Sequence, residues 1–324
     1  MTSDISIDDV LAAKTRLTPY LDMSPLRHYA LLDELVGHNI HVLVKHENHL
    51  PINSFKVRNG LSALTALPID IAARGVIAAS TGNHGQGVAY AGMKLGVPVT
   101  IFVPRGNNPE KNASIRALGA ELVETGNSYD ESIASCVARC ERDGLTMIHS
   151  TNNRDVIAGA GTLTLEVLEQ APETSAMVIA IGGGSQAVGA LVAANALKPS
   201  LRIFGVQSAN APGQYEEWRA GHSTTPIPST TFAEGIATAG GYDMTRTTLR
   251  EGLADFVLVS DADIAQSVRD LWRITHNLIE GAGAAGLAGL RVLAPRLEGQ
   301  TVAIVLSGGN LDSATAARIL SGAM

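Results

Sequence analysis

A lysine beside an aromatic residue is the first feature of the sequence that is suited to covalent chemistry. Lys56 is one of six lysines in a chain of 324 residues, and it lies in the segment NSFKVR (53–58), ahead of a helical pattern. A lysine held against apolar neighbours has a lowered pKa, and its neutral amine can form a Schiff base with a carbonyl group. The local sequence alone, however, favours an exposed lysine in the first turn of a helix.

Three glycine-rich turns can each hold a ligand. STGNHG (80–85), GGGS (182–185) and SGGN (307–310) each follow an apolar run that predicts a buried strand. Ligands of open parallel sheets bind at the carboxyl ends of the strands, so the three turns together predict one shared crevice. GGGS also enters a helical pattern, and successive N–H groups at a helix N-terminus suit a phosphate.

The GGGS turn also matches part of a dinucleotide-binding fingerprint, Gly182-x-Gly184-x-x-Ala187. That fingerprint needs an acidic residue about 20 positions further on to hold a ribose. No Asp or Glu occurs between Glu173 and Glu216. The sequence therefore favours a simpler phosphate-bearing ligand over a dinucleotide.

Other catalytic patterns are incomplete. Cys136 and Cys140 have helical spacing, but no nearby residue completes a zinc set. HENH (46–49) lacks the histidine spacing of a metalloprotease, and the chain contains no G-x-S-x-G elbow. His84 opens a helix, and it is predicted to be a structural hydrogen-bonding residue and not a catalytic base. We predict no metal site.

Short apolar runs that alternate with helical stretches must position these residues. The runs are continuously apolar, which is typical of parallel strands covered on both faces, and they predict a doubly wound α/β fold. Helix starts are predicted at Asn108-Pro109, at Ser128 in a capping box with Glu131, and at Ser260. The segment 210–245 is irregular and is expected to lie near a site. The predicted strands are 75–80, 99–104, 176–182, 202–208, 256–260 and 301–307.

Composition excludes several classes of protein. Hydrophobic residues make up 45% and charged residues 17%, which excludes a disordered chain. A net charge of −7 without basic runs predicts no nucleic-acid or anionic-membrane partner. The acidic start MTSDISIDD has no apolar segment of the signal-peptide kind, and two cysteines cannot form a disulfide framework. The expectation is a soluble cytoplasmic protein without a membrane span.

Five motifs taken together resemble one enzyme family. The chain resembles the fold-type II pyridoxal-phosphate (PLP) enzymes of the threonine/serine dehydratase and serine racemase group, from about residue 10 to about residue 320. The resemblance implies a tryptophan synthase β-like fold with a large PLP-binding domain, 1–48 and 147–324, and a smaller mobile domain, 49–146. The motifs are SFKVR (54–58), STGNHG (80–85), GGGS (182–185), EGAG (280–283) and SGGN (307–310).

The same resemblance implies a role for each site residue. Lys56 would carry PLP and act as the catalytic base, with Phe55 against the ring. Asn83 would bond the ring hydroxyl, and Ser307 would face the pyridine nitrogen. The phosphate would lie on Gly182, Gly183, Gly184 and Ser185. The loop that receives the substrate carboxylate would contain Ser80, Thr81, Gly82 and His84. Thr81 is predicted to be catalytic as well, with a helix cap as its alternative role.

The sequence departs from the family pattern near the ligand. Ile52 and Asn53 stand where Thr and Gly are usual, beside the pocket for the substrate side chain. Ser185-Gln186 replaces Gly-Leu, which keeps the backbone N–H groups of the phosphate loop. Gln207 and Gly213 stand where racemase-like members carry acidic metal ligands, which predicts that this divalent-cation site is missing. The chain also ends at Met324, where biosynthetic threonine deaminases continue, so feedback control by isoleucine is not expected.

These features predict a PLP-dependent ammonia-lyase. Its substrate is expected to be a β-hydroxy amino acid, L-threonine or L-serine, which is converted to a 2-oxo acid and ammonia. A hydroxyectoine-catabolism-type dehydratase and a serine racemase are alternatives on the same fold, and a cysteine-synthase-like enzyme is disfavoured by SFKVR and GNHG. A non-catalytic nucleotide- or phosphate-binding regulator is the alternative from another class. A homodimer or higher homo-oligomer is expected.

Overall fold

A computed structural model describes residues 5–324, and its strands form two sheets. In the larger sheet every neighbouring pair is parallel except the antiparallel pair at one edge. Across this sheet the strands run β1 (Leu26–His28), β2 (His41–Lys45), β10 (Thr301–Val305), β7 (Ala176–Ala180), β8 (Arg202–Ser208) and β9 (Asp255–Val259).

The smaller sheet has four strands, all parallel. Its strands lie within one continuous stretch of the chain, so the two sheets belong to different parts of the sequence. The division of the chain at 48/49 and 146/147 stays a prediction. Across this sheet the strands run β5 (Glu121–Glu124), β4 (Val99–Val103), β3 (Val76–Ala79) and β6 (Thr146–Met147).

Helices connect the parallel strands, because parallel neighbours need a long crossover connection. Within residues 5–324 the helices are α1 (Ile7–Leu17), α2 (Ala30–Val36), α3 (Lys56–Thr65), α4 (Ile69–Arg74), α5 (Asn83–Leu95), α6 (Pro109–Ala117), α7 (Tyr129–Asp143), α8 (Arg154–Gln170), α9 (Ser185–Leu197), α10 (Gly213–Ala220), α11 (Asp243–Gly252), α12 (Asp261–Thr275), α13 (Gly281–Leu293) and α14 (Ser313–Leu320).

Both faces of the larger sheet are buried. Successive residues of β7 alternate between two cores, so that Val178 packs into one and Met177 into the other. Ile304 of β10 lies opposite Val44 on one side and Val178 on the other, which centres β10 between two apolar strands. A third core lies against the smaller sheet and includes Ile101. This layering confirms the predicted doubly wound α/β fold.

The six predicted strands are all present, and four further strands were not predicted. β1 and β6 have three and two residues, too few for a pattern. β5 is largely solvent-facing and begins and ends with exposed glutamates, so its sequence lacks an apolar run. β2 is buried, but only its three central residues are apolar. Because His41 and Lys45 flank them, the sequence shows no apolar run long enough to predict a strand. No helix among residues 5–324 is long and apolar enough to span a membrane.

The predicted helix starts are correct, with one error in detail. Asn108 caps α6, with Pro109 in its first position, and Ser260 forms a full capping box at the start of α12. Ser128 caps α7 by accepting from the Glu131 N–H at 3.2 Å. The Glu131 side chain, however, accepts from the Asn127 N–H at 2.7 Å, so the predicted capping box at Ser128 is wrong.

Candidate active site

Lys56 is the first residue of α3, and the chain before it is fixed by the turn that follows β10. The Phe55 N–H donates to the Ser307 carbonyl at 3.0 Å, and the Ser54 hydroxyl donates to the same oxygen at 3.1 Å. Ser54 and Gly308 also form an isolated antiparallel bridge. Lys56 is therefore held at the carboxyl end of the larger sheet, where open α/β folds bind ligands.

The Lys56 amine differs from the other lysine amines. It is half-buried, it bonds to no described residue, and its Nζ lies 4.9 Å from the centroid of the Phe55 ring. Burial lowers its pKa to about 8, although nearby Glu280 raises it. Lys45, by contrast, is fully buried and donates to Glu166 at 2.7 Å, and Lys94 is exposed. The local sequence was therefore correct in placing Lys56 in the first turn of a helix and wrong in predicting an exposed side chain.

Two glycines bring α3 against α5. A Cβ on Gly60 would lie 2.2 Å from the Gly87 carbonyl oxygen, and a Cβ on Gly87 would lie 2.3 Å from the Lys56 carbonyl oxygen. No larger residue fits at either position without a shift of the backbone. This close approach sets Lys56 beside the helix whose first residues are Asn83 and His84.

The GGGS turn forms a cradle that side chains would fill. A Cβ on Gly182 would lie 2.4 Å from the Gly235 carbonyl oxygen, and one on Gly183 would lie 2.0 Å from Thr151 Oγ1. Gly184 has a φ of 96°, which favours glycine. Ser185 then begins α9, as the sequence predicts.

The cradle presents donors that lack partners. The N–H groups of Gly183, Gly184, Ser185 and Gln186 donate to no described residue. The Gln186 Nε2 is also buried without a partner among residues 5–324. Buried donors need an acceptor, and a helix N-terminus favours an anion. The cradle therefore fits a phosphate group such as that of PLP.

Asn83 lies in a hydrogen-bonded network that fixes the orientation of its amide. Its Nδ2 donates to Glu280 Oε1 at 2.8 Å, and its Oδ1 accepts from Asn310 Nδ2 at 2.7 Å. The Asn310 N–H donates to Glu280 Oε2 at 3.2 Å. The second N–H of the Asn83 amide donates to none of residues 5–324, which matches the donor that a ring hydroxyl needs. Burial raises the pKa of Glu280.

Ser307 offers a free hydroxyl at the same place. Its side chain is 6% exposed, and its hydroxyl bonds to no described residue while its carbonyl is engaged by Ser54 and Phe55. A buried hydroxyl needs a hydrogen-bond partner, and a ring nitrogen of a bound ligand can be that partner. This agrees with the predicted contact between Ser307 and the pyridine nitrogen.

The STGNHG loop (80–85) contains one hydroxyl that shapes the loop and one that is unengaged among the described residues. The Ser80 hydroxyl accepts from the Gly82 N–H at 3.3 Å and the Gly85 N–H at 2.9 Å, so it shapes the loop. The Thr81 hydroxyl bonds to no described residue and is half-exposed. α5 is capped at Gly82 without a side-chain bond, so the alternative that Thr81 caps this helix is wrong.

His84 has a structural environment. Its Nε2 lies 2.9 Å from the Ile148 carbonyl oxygen, and burial together with the Lys56 charge lowers its pKa to about 3. The neutral ring therefore donates its Nε2–H to that carbonyl. Its Nδ1 is buried without a partner in the described chain, so the neutral ring keeps one unused acceptor.

The departures at residues 52 and 53 lie in left-handed backbone. Ile52 has a φ of 62° and Asn53 a φ of 52°. Asn tolerates this conformation, whereas a β-branched residue is strained there. Asn310 Nδ2 donates to the Ile52 carbonyl at 2.8 Å, and the Gly309 N–H donates to the Asn53 carbonyl at 2.9 Å. The SGGN turn thus clamps the strained loop that leads to Lys56.

Arg58 anchors α3 beneath the site. Its side chain is 2% exposed and donates to Glu47 at 2.7 Å and to Glu166 at 2.6 Å. Lys45 completes the group, so two cations balance two carboxylates. Both carboxylates raise the pKa of the Arg58 guanidinium, which stays charged. Removing one member of this buried group should destabilise the fold, because an opposite charge is then left buried without a partner.

The turn at 207–213 has no carboxylate. The Gln207 amide donates to the Ile236 carbonyl at 3.3 Å and to Thr238 Oγ1 at 3.2 Å, and it accepts from the Tyr215 N–H at 3.0 Å. A Cβ on Gly213 would lie 2.3 Å from the Ala239 carbonyl oxygen. The Gln207 amide therefore links this turn directly to residues 236–238.

Four residues near the site were given no role from the sequence. Glu280 and Asn310 belong to motifs that were noticed, but their mutual contacts become visible only in the fold. His149 follows β6 and lies near Lys56, which together with burial lowers the pKa of its ring. Lys111 pairs with Glu234 and lies near Gly82. No spacing in the sequence links these residues, because they come from distant segments.

The model of the pyridoxal-phosphate dependent enzyme family matches residues 17–308. An L-threonine ammonia-lyase of Geobacter sulfurreducens is 38% identical over 306 residues, covering 94% of this chain and 75% of the relative. A solved threonine deaminase of T.th. has a TM-score of 0.89 at 36% identity, covering 95% of this chain and 99% of the other. Maize serine racemase has a TM-score of 0.92 at 28% identity, covering 98% of both chains. The chain belongs to the fold-type II pyridoxal-phosphate dependent enzymes, the family of the threonine ammonia-lyases and serine racemases.

Proposed function

We propose that this enzyme is an ammonia-lyase that converts L-threonine or L-serine to a 2-oxo acid and ammonia. The observation that carries the proposal is the half-buried, unpaired Lys56 amine with a pKa near 8, held between the SGGN turn and α5. The relatives named L-threonine ammonia-lyase and threonine deaminase support the same substrate class.

The residues that would hold PLP come from three turns. Lys56 would bind it covalently, and Phe55 would lie against its ring. The cradle of Gly182, Gly183, Gly184 and Ser185 would take the phosphate, while Asn83 and Ser307 would meet the ring hydroxyl and nitrogen. When bound, PLP supplies an electron sink for the pair released by the Cα–H bond.

The chain itself supplies position and proton transfer. Thr81 and the N–H groups around it would bind the substrate carboxylate, which orients the Cα–H bond towards Lys56. With a pKa near 8, the Lys56 amine is an effective base close to neutral pH. Loss of the Cα proton and the Cβ hydroxyl removes one water, and hydrolysis of the resulting enamine adds one back. The overall change involves no oxidant and no reductant.

The test is a panel of hydroxy amino acids incubated with the purified holoenzyme while 2-oxo acid and ammonia are measured. L-threonine or L-serine should yield the two products in equal amounts. Lys56→Ala should abolish this, while Lys94→Ala, which changes an exposed lysine, should not. D-serine formation without 2-oxo acid would favour a racemase. Turnover only of a larger hydroxy amino acid, or of none, would overturn the proposed substrate.

The same proposal extends to assembly and location. We propose a homo-oligomer, supported by large apolar side chains left exposed, among them Leu31 at 51% and Trp272 at 45%. Analytical ultracentrifugation measures the oligomeric state, and a monomer would contradict this proposal.

A cytoplasmic location is supported by the two unpaired cysteines, Cys136 and Cys140. Cell fractionation tests that placement.

A further inference from the structure

We propose that His28, Asp33 and His41 form a binding site for a zinc-type divalent cation, apart from the PLP site. His28 Nε2 lies 2.8 Å from Asp33 Oδ2, and His41 Nδ1 lies 3.3 Å from the same oxygen. All three ligand atoms lie within 4.8 Å of one another. The three residues have no metal-motif spacing, so the sequence predicts no metal here.

Three neighbouring elements converge to build the site. β1 pairs with β2 so that His28 lies opposite Leu43, which puts His28 and His41 on the same face of the strand pair. Their ring centroids are 4.1 Å apart. Asp33 projects from α2, and its Oδ1 accepts from the Val42 N–H at 2.8 Å. That bond fixes the carboxylate and leaves Oδ2 facing both rings, which is the support that a metal ligand needs.

Two of the separations between ligand atoms can be compared with those around a tetrahedral ion, and the third is at most 4.8 Å. Zinc bonds to imidazole nitrogen and carboxylate oxygen are about 2.0–2.2 Å long, so neighbouring ligand atoms around it lie roughly 3.3–3.5 Å apart. The two separations from Asp33 Oδ2, 2.8 and 3.3 Å, need only a small adjustment. The ion would replace the protons that the rings now share with the carboxylate.

The ligand set selects the class of ion. Two imidazoles and one carboxylate suit zinc, nickel and cobalt, whereas magnesium and calcium prefer oxygen ligands. The side chains of His28, Asp33 and His41 are 38%, 28% and 44% exposed, so solvent reaches the group and water can take the fourth position. A bound ion would fasten α2 and the edge strand β1 to β2.

The experiment uses the PLP holoenzyme, dialysed against a chelator and titrated with Zn²⁺ by calorimetry. We expect about one tight equivalent, as a site with three protein ligands implies. Co²⁺ in place of Zn²⁺ should give the visible absorption of tetrahedral cobalt. His28→Ala, His41→Ala and Asp33→Asn should each lose both signals, while His222→Ala, which changes an exposed histidine elsewhere, should keep them.

The absorbance of bound PLP shows whether each variant is folded. Asp33→Asn is the most conservative of the three variants, because it keeps the shape of the side chain and an oxygen that can accept from the Val42 N–H. A folded Asp33→Asn that has lost the tight equivalent supports the site. Zinc that binds equally to all three variants, or no tight zinc in the original protein, overturns it. The PLP site is not tested by either outcome, because none of these residues contacts Lys56, the GGGS cradle or Asn83.

Discussion

The reactivity of Lys56 depends on the fraction of its amine that is neutral. Burial lowers the pKa of Lys56 to about 8, from an ordinary value of 10.5. The rate at which apoenzyme takes up PLP should therefore rise as the pH is raised through about 8 and level off above it. Stopped-flow absorbance of the bound cofactor measures this rate. Lys94→Ala should give the same profile, and a midpoint near 10.5 would contradict the role of burial.

Thr81 is expected to bind the substrate carboxylate, because its hydroxyl is free in the described chain and it does not cap α5. Loss of a hydrogen bond to a charged group costs about 1.5–3 kcal/mol. Thr81→Ala should therefore lower kcat/KM roughly ten- to a hundredfold. Its PLP absorbance should be unchanged, because Lys56 and the GGGS cradle are untouched. Thr81→Ser should restore most of the activity; a normal kcat/KM in Thr81→Ala would remove Thr81 from the site.

At the scale of elements, the loop before α3 is held in an unfavourable conformation. Asn53 has a φ of 52°, where alanine costs roughly 1–2 kcal/mol and glycine nothing. Asn53→Ala should thus lower the free energy of unfolding by about 1 kcal/mol, and Asn53→Gly should not. Asn39, with a φ of 53°, lies outside the site and serves as a matched control.

Only the variants at 53 should change PLP affinity, because that loop leads directly to Lys56. Denaturant unfolding and cofactor titration measure the two effects. Equal stability of Asn53→Ala and Asn53→Gly would show that the backbone conformation is not what constrains this residue.

The turn around Gln207 should function without a cation. Its amide already bonds Ile236 and Thr238, and Gly213 leaves no room for a carboxylate beside the Ala239 carbonyl. Dialysis against a chelator should leave turnover nearly unchanged, including when it strips zinc from the His28 site. Gln207→Glu should destabilise the fold by about 1–3 kcal/mol, since a buried carboxylate would face a carbonyl oxygen. A large loss on chelation, restored by Mg²⁺ or Ca²⁺, would contradict this.

For the molecule as a whole, local patterns in the sequence predicted the strands and the glycine turns. They did not predict contacts between residues that are far apart in the chain. Short, continuously apolar runs predicted six buried strands, because a strand covered on both faces carries a continuous apolar sequence. The glycine turns predict a shared crevice, because such turns lie at the carboxyl ends of parallel strands. The structure joins two of these turns through the bond between Asn310 and Asn83, and the place of the third in the same crevice stays a prediction. The contacts of Asn310 with Asn83 and Ile52 join residues more than two hundred positions apart, and no local pattern encodes them. The left-handed backbone at Ile52 is likewise imposed by the fold against the preference of the residue.

One ion pair joins helix α6, which packs beside the smaller sheet, to the turn at residues 234–236. Lys111, on α6 beside the smaller sheet, donates to Glu234, in a turn that packs on the GGGS cradle through Gly235 and Gly182. The Lys111 side chain is 12% exposed and also lies near Gly82 of the substrate loop. We expect this pair to hold the substrate loop towards the cradle.

Breaking that pair should affect substrate affinity more than stability, since ion pairs with a solvent-exposed partner contribute only about 0–1 kcal/mol to folding. Lys111→Met and Glu234→Gln should each raise KM for the amino acid severalfold with a small change in Tm. The exchanged pair, Lys111→Glu with Glu234→Lys, should recover part of the lost substrate affinity if the ion pair itself matters.

Arg139→Met, which breaks a pair with Glu121 near the smaller sheet, is the matched control and should leave KM unchanged. Steady-state kinetics at two ionic strengths measures this, because added salt screens the pair and should raise the KM of the original enzyme in the same direction. Unchanged KM in both single variants would show that this ion pair does not act on the substrate.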